Sequence, residues 1–488
     1  MTRHYDLIVI GTGPAGQKAA VAAAKAGKSV LAVEKGGMVG GICVHSGTIP
    51  SKALREAVLV FAGLRTRRMP GIQVTLHDHI GIDDLIANTA EIVVAETSIV
   101  RDQLQRNNID LVYGEARFDG PHAVRVKTVN DEVVYTGDFI MIAVGATPVR
   151  PAHIPFDDDR VLDTASVLGL HRIPKKVVVI GAGVIGVEYA CIFAALGATV
   201  DLTDRRKELL KFLDREIAEA LAYQMWSAGV RLRLGEDAER VEVEGGLVRV
   251  SVASGEVIEC DTVLYVQGRA AATATLGLDR AGITPGPGGQ LKVDANYRTE
   301  ISHIYAIGDV IGFPSLASTS MEQGRLASCH AFGIPAESFP DLLPYGLYTI
   351  PEVSTVGKSA SDLDRDGVPY ASGRAHYREI ARGQLVGDSE GILKLLFHRE
   401  TRQLLGVHAI GEGATELIHI GQAVLAFNGT INYFVANVFN YPTFAECYRV
   451  AALDGINRMM KEPAGGTPLE KLPPEPAPAV YTRSEPNI

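Results

Sequence analysis

Cysteine is scarce in this chain. Its 488 residues include five cysteines, at positions 43, 191, 260, 329 and 447. They are too few and too widely spaced for a disulfide framework, and no two of them form the Cys-x-x-Cys pair that is typical of structural zinc sites. The sequence therefore predicts a protein of a reducing cytoplasm that carries no metal ion.

Positive charge and uninterrupted apolar runs are also limited. Lysine and arginine number 47 against 57 acidic residues, a net charge of −10, whereas proteins that hold nucleic-acid phosphates need clustered basic residues. The apolar stretches at residues 7–33 and 177–200 are broken by glycines, and the second contains Glu188. We therefore expect a soluble enzyme with no nucleic-acid or membrane partner, in which each stretch forms a strand, a tight turn and a buried helix.

Glycine, in contrast, is abundant, and two segments repeat one arrangement of it. Residues 5–34 and 177–204 each comprise an apolar strand, a glycine turn, a helix and a second strand. Each turn carries Gly-x-Gly-x-x-Gly with an acidic residue 23 positions after its first glycine: Gly11, Gly13, Gly16 and Glu34 in the first unit, and Gly181, Gly183, Gly186 and Asp204 in the second. Such units bind a pyrophosphate at the helix N-terminus and a ribose at the carboxylate. Because the whole pattern occurs twice, we predict two dinucleotide-binding domains rather than two glycine-rich turns without a ligand.

The second acidic residue is followed at once by basic ones. Asp204 suits the free 2′-hydroxyl of NAD, whereas Arg205, Arg206 and Lys207 suit the 2′-phosphate of NADP. A solvated basic turn is the alternative interpretation, because runs of charge are commonly exposed. If both sets of side chains reach the ribose, the site accepts either dinucleotide.

The rest of the chain falls into segments of different character. Helical periodicity at residues 51–64 and 83–106 predicts a helical insert in the first nucleotide-binding domain. We expect this domain at 1–150, the second at 151–268, a return to the first at 269–344, an interface domain at 345–460 and a Pro-rich tail, extended or disordered, at 461–488. The fold class is therefore α/β, with two Rossmann-like domains and a C-terminal α+β domain.

The segment around Cys43 shows a family resemblance. Residues 40–52 resemble the active-site helix of flavoprotein disulfide reductases, which carries Cys-x4-Cys, but Thr48 stands at the second cysteine position. The glycine loops, Glu188 and residues 304–309 are also similar to the pyridine nucleotide–disulfide oxidoreductase superfamily. Blocks at 47–55, 312–318, 348–352, 397–401, 439–443 and 448–453 resemble its soluble, flavin-dependent pyridine nucleotide transhydrogenases. A single thiol cannot cycle between dithiol and disulfide, so we expect a different chemistry on this scaffold.

The resemblance implies FAD in the first domain and NAD or NADP in the second. The residues it implies for FAD are Gly11, Gly13, Gly16, Glu34, Lys35, Gly40, Gly41, Cys43, Thr48, Lys52, Gly145, Gly308, Asp309 and Ala317. Those it implies for NAD(P) are Gly181, Gly183, Val184, Ile185, Gly186, Glu188, Asp204, Arg205, Arg206 and Gly268. Lys52 and Glu188 are the implied catalytic pair, in which a lysine beside the flavin is neutralised by a carboxylate.

The reaction that the resemblance implies is hydride transfer between NADPH and NAD⁺. The substrates would be NAD(H) and NADP(H), and the interface domain would form a homodimer or a higher homo-oligomer. Tyr441 stands where disulfide reductases have the histidine of their acid–base pair, and a phenol with an ordinary pKa of about 10 is a poor proton acceptor at neutral pH.

Other interpretations of the same residues stay open. An NAD(P)H:quinone or dye reductase needs the same flavin site, and a non-catalytic flavoprotein would not need Lys52 and Glu188. A disulfide reductase that uses Cys43 with an external thiol ranks last. We interpret Cys43 as part of the wall of the flavin site, and His45 as a half-buried turn histidine rather than a general base.

Overall fold

The structure, a computed structural model, describes residues 3–66, 82–336 and 341–461. Apart from its first residue, the predicted Pro-rich tail lies outside the described residues. A first sheet of seven strands has the order β3-β2-β1-β6-β5-β4, with β17 beside β6. Its strands are β1 (Arg3–Ile10), β2 (Val30–Glu34), β3 (Asp110–Tyr113), β4 (Glu115–Gly120), β5 (Ala123–Lys127), β6 (Glu132–Ile142) and β17 (Ile304–Ala306). Strand β17 belongs to the segment 269–344, for which the sequence predicts a return to the first domain.

Five α-helices of the described residues belong to this first unit, and the first of them follows β1 at the glycine loop. They are α1 (Pro14–Lys25), α2 (Gly41–His45), α3 (Thr48–Thr66), α4 (Ile82–Arg106) and α7 (Ala317–Ala331). Helices α3 and α4 include the residues 51–64 and 83–106 at which the sequence shows helical periodicity. In β1, Leu7 and Val9 pack on the side of α1, and Ile8 and Ile10 pack on the side of β4 and β5. Because both faces are buried, the strand needs the continuous apolar run that its sequence shows.

A second sheet contains the second glycine loop. Its five parallel strands have the order β11-β10-β9-β15-β8. They are β8 (Val161–Leu162), β9 (Lys176–Ile180), β10 (Thr199–Asp204), β11 (Val230–Leu234) and β15 (Thr262–Tyr265), with helices α5 (Val184–Ala195) and α6 (Arg215–Ser227). An antiparallel sheet of β12 (Ala238–Glu244), β13 (Leu247–Val252) and β14 (Val257–Cys260) packs on β9. The stretch 177–200 is therefore strand, turn, helix and strand, as predicted, and within the described ranges no helix is long and apolar enough to cross a membrane.

The two units are joined by a short ribbon, and a third sheet follows them. The ribbon pairs β7 (Ala146–Pro148) with β16 (Arg269–Ala271) in antiparallel register. The third sheet has the order β18-β19-β22-β21-β20. Its elements are β18 (Tyr345–Leu347), β19 (Val353–Gly357), α8 (Ala360–Asp366), β20 (Tyr370–His376), α9 (Ala381–Val386), β21 (Ile392–His398), β22 (Leu404–Ile410), α10 (Ala414–Ala426), α11 (Asn432–Ala436) and α12 (Glu446–Lys461).

A cluster of ion pairs, most of it buried, links the third sheet to the second unit. Lys394 Nζ lies 2.7 Å from Asp214 Oδ1 and 3.1 Å from Glu216 Oε2, and Asp214 caps α6. His408 lies in the same region, with Nε2 3.0 Å from the carbonyl oxygen of Lys358 and Nδ1 2.5 Å from Thr355 Oγ1. Burial lowers the pKa of His408 to about 4, against the opposing effect of Asp214. His408 is therefore neutral in the folded protein at neutral pH.

This histidine is expected to make the fold sensitive to mild acid. The unfolded chain takes up the proton near its ordinary pKa of 6.5, whereas the folded chain takes it up only near pH 4, so folding loses stability as the pH falls through this window. We expect the free energy of unfolding to fall by about 2 kcal/mol between pH 7 and pH 5 from this group alone. Denaturant titrations of wild type and His408→Gln at both pH values measure it. Equal pH dependence of the two proteins would contradict the prediction.

Candidate active site

The first glycine loop leaves its middle glycine facing open space. Gly11 has a φ of +103°, and a Cβ on Gly16 would overlap the carbonyl oxygen of Gly11. A Cβ on Gly13 would meet no atom within 4 Å, and Gly13 caps α1 without a side-chain hydrogen bond to the first turn. The loop therefore leaves open space at the N-terminus of α1, a position at which proteins bind pyrophosphates.

The carboxylate of Glu34 lies at this loop. Its Oε2 accepts hydrogen bonds from the backbone N–H of Thr12, at 2.8 Å, and from the Thr12 hydroxyl. Thr12 Oγ1 also accepts from the N–H of Gly40 at 3.3 Å, which joins the loop to the start of α2. Burial raises the pKa of Glu34, and the Thr12 hydrogen bonds oppose this effect. Thr12 is not among the predicted contacts, although its place between two loop glycines puts it beside the acid.

The second glycine loop has the same construction. Gly181 has a φ of +115°, a Cβ on Gly186 would overlap the Gly181 carbonyl oxygen, and Gly183 caps α5 without a side-chain hydrogen bond. Val184 and Ile185 follow as the half-buried first turn of α5. The predicted glycine, valine and isoleucine contacts therefore lie together at one helix N-terminus, where a second dinucleotide fits.

At this second loop, the side chain predicted to bind a 2′-phosphate, Arg206, is hydrogen-bonded to the side chain predicted to bind the ribose, Asp204. Arg206 donates from Nε to Asp204 Oδ1 at 2.9 Å and from Nη2 to Asp204 Oδ2 at 2.6 Å. Oδ2 also accepts from the N–H of Ala182 at 2.7 Å. Burial opposes ionisation of Asp204, but the hydrogen bonds from Arg206 and Ala182 outweigh it and lower the pKa of Asp204. Arg205, the other predicted arginine, is exposed.

The predicted catalytic pair is formed between α3 and α5. Lys52 Nζ lies 2.7 Å from Glu188 Oε2, and the two side chains are 24% and 8% exposed. Glu188 Oε1 accepts from the backbone N–H of Tyr348 at 2.8 Å, and Lys52 Nζ lies 5.0 Å from the centroid of the Tyr348 ring. Because both carboxylate oxygens are held, Glu188 fixes the position of the ammonium group. Tyr348 completes the cluster and is not among the predicted site residues, although it belongs to the matched block 348–352.

The helix expected over residues 40–52 is broken in two. Helix α2 ends at His45, Ser46 has φ −147° and ψ 0°, and α3 begins at Thr48. Cys43 and Thr48 therefore stand on separate helices, although their side chains hydrogen-bond. Burial raises the pKa of Cys43 in spite of this bond, which makes the thiol a weak nucleophile at neutral pH. The ring of His45 is tied to the carbonyl oxygen of Val39, with Nε2 at 2.9 Å.

The segment around β17 and α7 carries further predicted FAD contacts. The N–H of Gly308 donates to Gln323 Oε1 at 2.8 Å, and Asp309 Oδ2 accepts from Arg269 Nη1 at 2.5 Å. Ala317 is the first residue of α7, whose N-terminus has no side-chain cap. The carboxylate of Asp309 is therefore held by Arg269, and the N-terminus of α7 is a position at which an anionic group would be stabilised.

Other predicted residues occupy the margins of the site. Gly145 and Gly268 have φ values of +71° and +97° beside the β7–β16 ribbon that joins the two units. The side chain of Lys35 forms a surface ion pair with Glu115, with Nζ 2.8 Å from Oε1, so it is not part of the Glu34 cluster. Tyr441 is 74% exposed.

Comparison with known sequences settles the family. The sequence profile of pyridine nucleotide-disulphide oxidoreductases matches residues 5–324, and the profile of their dimerisation domain matches residues 343–452. The chain belongs to the pyridine nucleotide-disulphide oxidoreductase family. FAD and NAD(P) are the cofactors of this family, which confirms the cofactor prediction, and the predicted fold class is confirmed as well. The dimerisation domain supports the expected homo-oligomer.

Individual relatives cover nearly the whole chain. A protein of Mycobacterium bovis (strain BCG / Pasteur 1173P2) named soluble pyridine nucleotide transhydrogenase is 49% identical over 94% of this chain and 98% of its own length. One of the same name from Photobacterium profundum is 44% identical over 93% and 98%. Among solved structures, LpdA from Mycobacterium tuberculosis gives a TM-score of 0.85 at 26% identity, over 93% of this chain and 99% of that chain. The HOCl-induced flavoprotein disulfide reductase RclA of Escherichia coli gives 0.83 at 27% identity, over 92% and 99%.

Proposed function

We propose that this protein is an FAD-dependent NAD(P)⁺ transhydrogenase, which catalyses NADPH + NAD⁺ ⇌ NADP⁺ + NADH without a redox-active disulfide. The observation that carries the proposal is an intact Lys52–Glu188 pair at a site where Thr48 replaces the second cysteine. The relatives named soluble pyridine nucleotide transhydrogenase support it. The roles of the predicted site residues are part of the same proposal.

The first unit would hold FAD, which when bound accepts a hydride from one nicotinamide and gives it to another. The N–H groups at the start of α1 would bind its pyrophosphate, and Glu34 its adenosine ribose. Asp309 and the N-terminus of α7 would bind and polarise the flavin half. Lys52 would supply positive charge as electrons arrive, and Glu188 would keep Lys52 in place.

The second glycine loop would bind the two dinucleotides in turn. Its N–H groups at Gly183 would hold the pyrophosphate of either one, so the first product must leave before the second substrate enters. Because the two nicotinamides are the same chemical group, the reaction is close to thermoneutral. The concentrations of the four dinucleotides would then set its direction.

Stopped-flow spectroscopy of the purified FAD-loaded protein tests the proposal. NADPH is expected to remove the yellow flavin absorbance, and NAD⁺ added alone is expected to restore it at a rate that supports turnover. Burial raises the pKa of the Cys43 thiol, and Cys43 forms no disulfide with another cysteine. A disulfide added in place of NAD⁺ is therefore expected to restore none of the flavin absorbance. Slow return with NAD⁺ and fast return with a quinone would instead identify an NAD(P)H:quinone reductase.

A further inference from the structure

Lys52 carries its charge on a flexible four-carbon side chain, so a single ion pair leaves the ammonium free to swing. The proposed function, on which this inference rests, requires the ammonium at a fixed point beside the flavin. Besides Glu188 Oε2, Lys52 Nζ faces Ser51 Oγ at 3.4 Å and the ring of Tyr348, whose centroid lies 5.0 Å away. A cation within about 6 Å of the centroid of an aromatic ring is attracted to its face. The ring is therefore a second restraint on the ammonium.

The segment between β18 and β19, which begins with Tyr348, is bound to the helix that carries Lys52. Arg55 lies three positions after Lys52 on α3, and its side chain is 5% exposed. Its Nε donates to the carbonyl oxygen of Thr349 at 3.0 Å, and its Nη2 lies 3.3 Å from Glu352 Oε1. Hydrogen bonds from a charged donor are strong where water is excluded, so Arg55 fixes this segment against α3.

The same segment is bound on its other side to helix α10. Glu352 Oε2 accepts from Thr415 Oγ1 at 2.7 Å and from the Thr415 N–H at 3.2 Å. Thr415 lies in the first turn of α10, where unpaired N–H groups favour a carboxylate. The side chain of Thr415 also interacts with that of Tyr348. One oxygen of Glu352 thus faces α3 and the other faces α10, so the ring is held between the two helices.

We propose that Tyr348 is a positioning residue, whose ring holds the Lys52 ammonium at its place in the site. A second carboxylate would also restrain the ammonium, but it would cancel the charge that Lys52 must supply. An aromatic face attracts the cation and carries no net charge, so the positive charge remains available as electrons arrive. Arg55 and Glu352 act one step further away, because they hold the ring relative to α3.

Removal of the ring from the FAD-loaded protein tests this inference. Tyr348→Leu keeps the backbone N–H that binds Glu188, so it removes the ring and leaves the ion pair. At saturating NADPH, flavin reduction is expected to slow by about five- to tenfold, the size of one cation–π contact, while the NADPH concentration that gives half the limiting rate is unchanged. The midpoint potential of the flavin is expected to fall by up to about 30 mV, which for two electrons equals a tenfold change.

Further variants separate the ring from packing. Tyr348→Phe keeps the ring and is expected to stay within about twofold of wild type, whereas Tyr348→Met fills much of the space without a ring and is expected to behave as Tyr348→Leu does. In a Lys52→Met background, Tyr348→Leu is expected to slow reduction no further, because Tyr348 acts through Lys52. Tyr223→Leu, which removes a tyrosine that is 59% exposed on α6, is the matched control and should change neither the rate nor the potential.

The outcomes are distinct from those that test the proposed function. Reduction by NADPH is the first half of the reaction, so slow reduction in Tyr348→Leu that Tyr348→Phe restores supports the inference whether NAD⁺ or a quinone reoxidises the flavin. Wild-type rate and potential in both ringless variants would overturn it, and so would equal slowing in Tyr348→Phe. Additional slowing in the Lys52→Met background would overturn it as well, because the ring would then act by a route other than Lys52.

Discussion

Lys52→Met is expected to slow reduction of the bound flavin by NADPH by about two orders of magnitude. Removal of one preorganised donor from a site where charge develops has an effect of this size. The substitution removes the cation and leaves the carboxylate of Glu188 with the Tyr348 N–H as its partner. Glu188 is 8% exposed, so this negative charge is poorly screened and opposes electron uptake nearby. The rate of flavin bleaching under single-turnover conditions measures the effect.

Two further variants separate the charge of Lys52 from the structural role of the pair. Glu188→Gln keeps the lysine and is expected to slow reduction less than Lys52→Met does. The double variant is expected to be no slower than Lys52→Met, since the two residues act as one unit. Lys358→Met removes a surface lysine paired with Asp366 and controls for loss of charge alone. Unchanged reduction by the Lys52→Met protein would remove Lys52 from the mechanism.

The parts of the site that depend on local sequence could be predicted. Each glycine loop, its helix and its acid lie within one βαβ unit, and the turn geometry at Gly11 and Gly181 follows from the residue type. The fold class follows from the same repetition. The pairing of Lys52 with Glu188 joins residues 136 positions apart, and it was predictable only through the family resemblance.

Contacts made by side chains across distant elements could not be predicted in this way. Nothing in the spacing of Tyr348 indicates that its N–H binds Glu188, because that contact depends on how the third sheet packs on α5. The basic turn after Asp204 likewise left two interpretations open, and the structure shows a third arrangement, in which Arg206 binds Asp204 itself. The break between α2 and α3 could not be predicted either, because the family resemblance that indicates a helix over residues 40–52 does not reveal that Ser46 and Gly47 lie outside it.

Gly186→Ala is expected to weaken binding of NAD⁺ and NADP⁺ alike by at least a hundredfold, as displacement of a binding element by about 1 Å can do. Its Cβ would overlap the carbonyl oxygen of Gly181 and would lie 3.1 Å from Val266 Cγ2. Neither the Gly181 carbonyl oxygen nor Val266 Cγ2 is the end of a long flexible side chain that could move aside. Helix α5 must therefore move away from β9, and the N–H groups at Gly183 move with it. Equilibrium titration of each dinucleotide against the FAD-loaded variant measures the loss.

Two controls test whether the effect of Gly186→Ala is confined to the second glycine loop. The proposed FAD site lies on the first sheet, so the variant is expected to retain FAD and its visible spectrum, which distinguishes a displaced helix from global misfolding. Gly169→Ala is the matched substitution in the same unit, because a Cβ there would meet no atom within 4 Å, and it should bind both dinucleotides normally. Loss of NADP⁺ binding alone in Gly186→Ala would contradict the prediction, because the proposed function places both dinucleotides at the same loop.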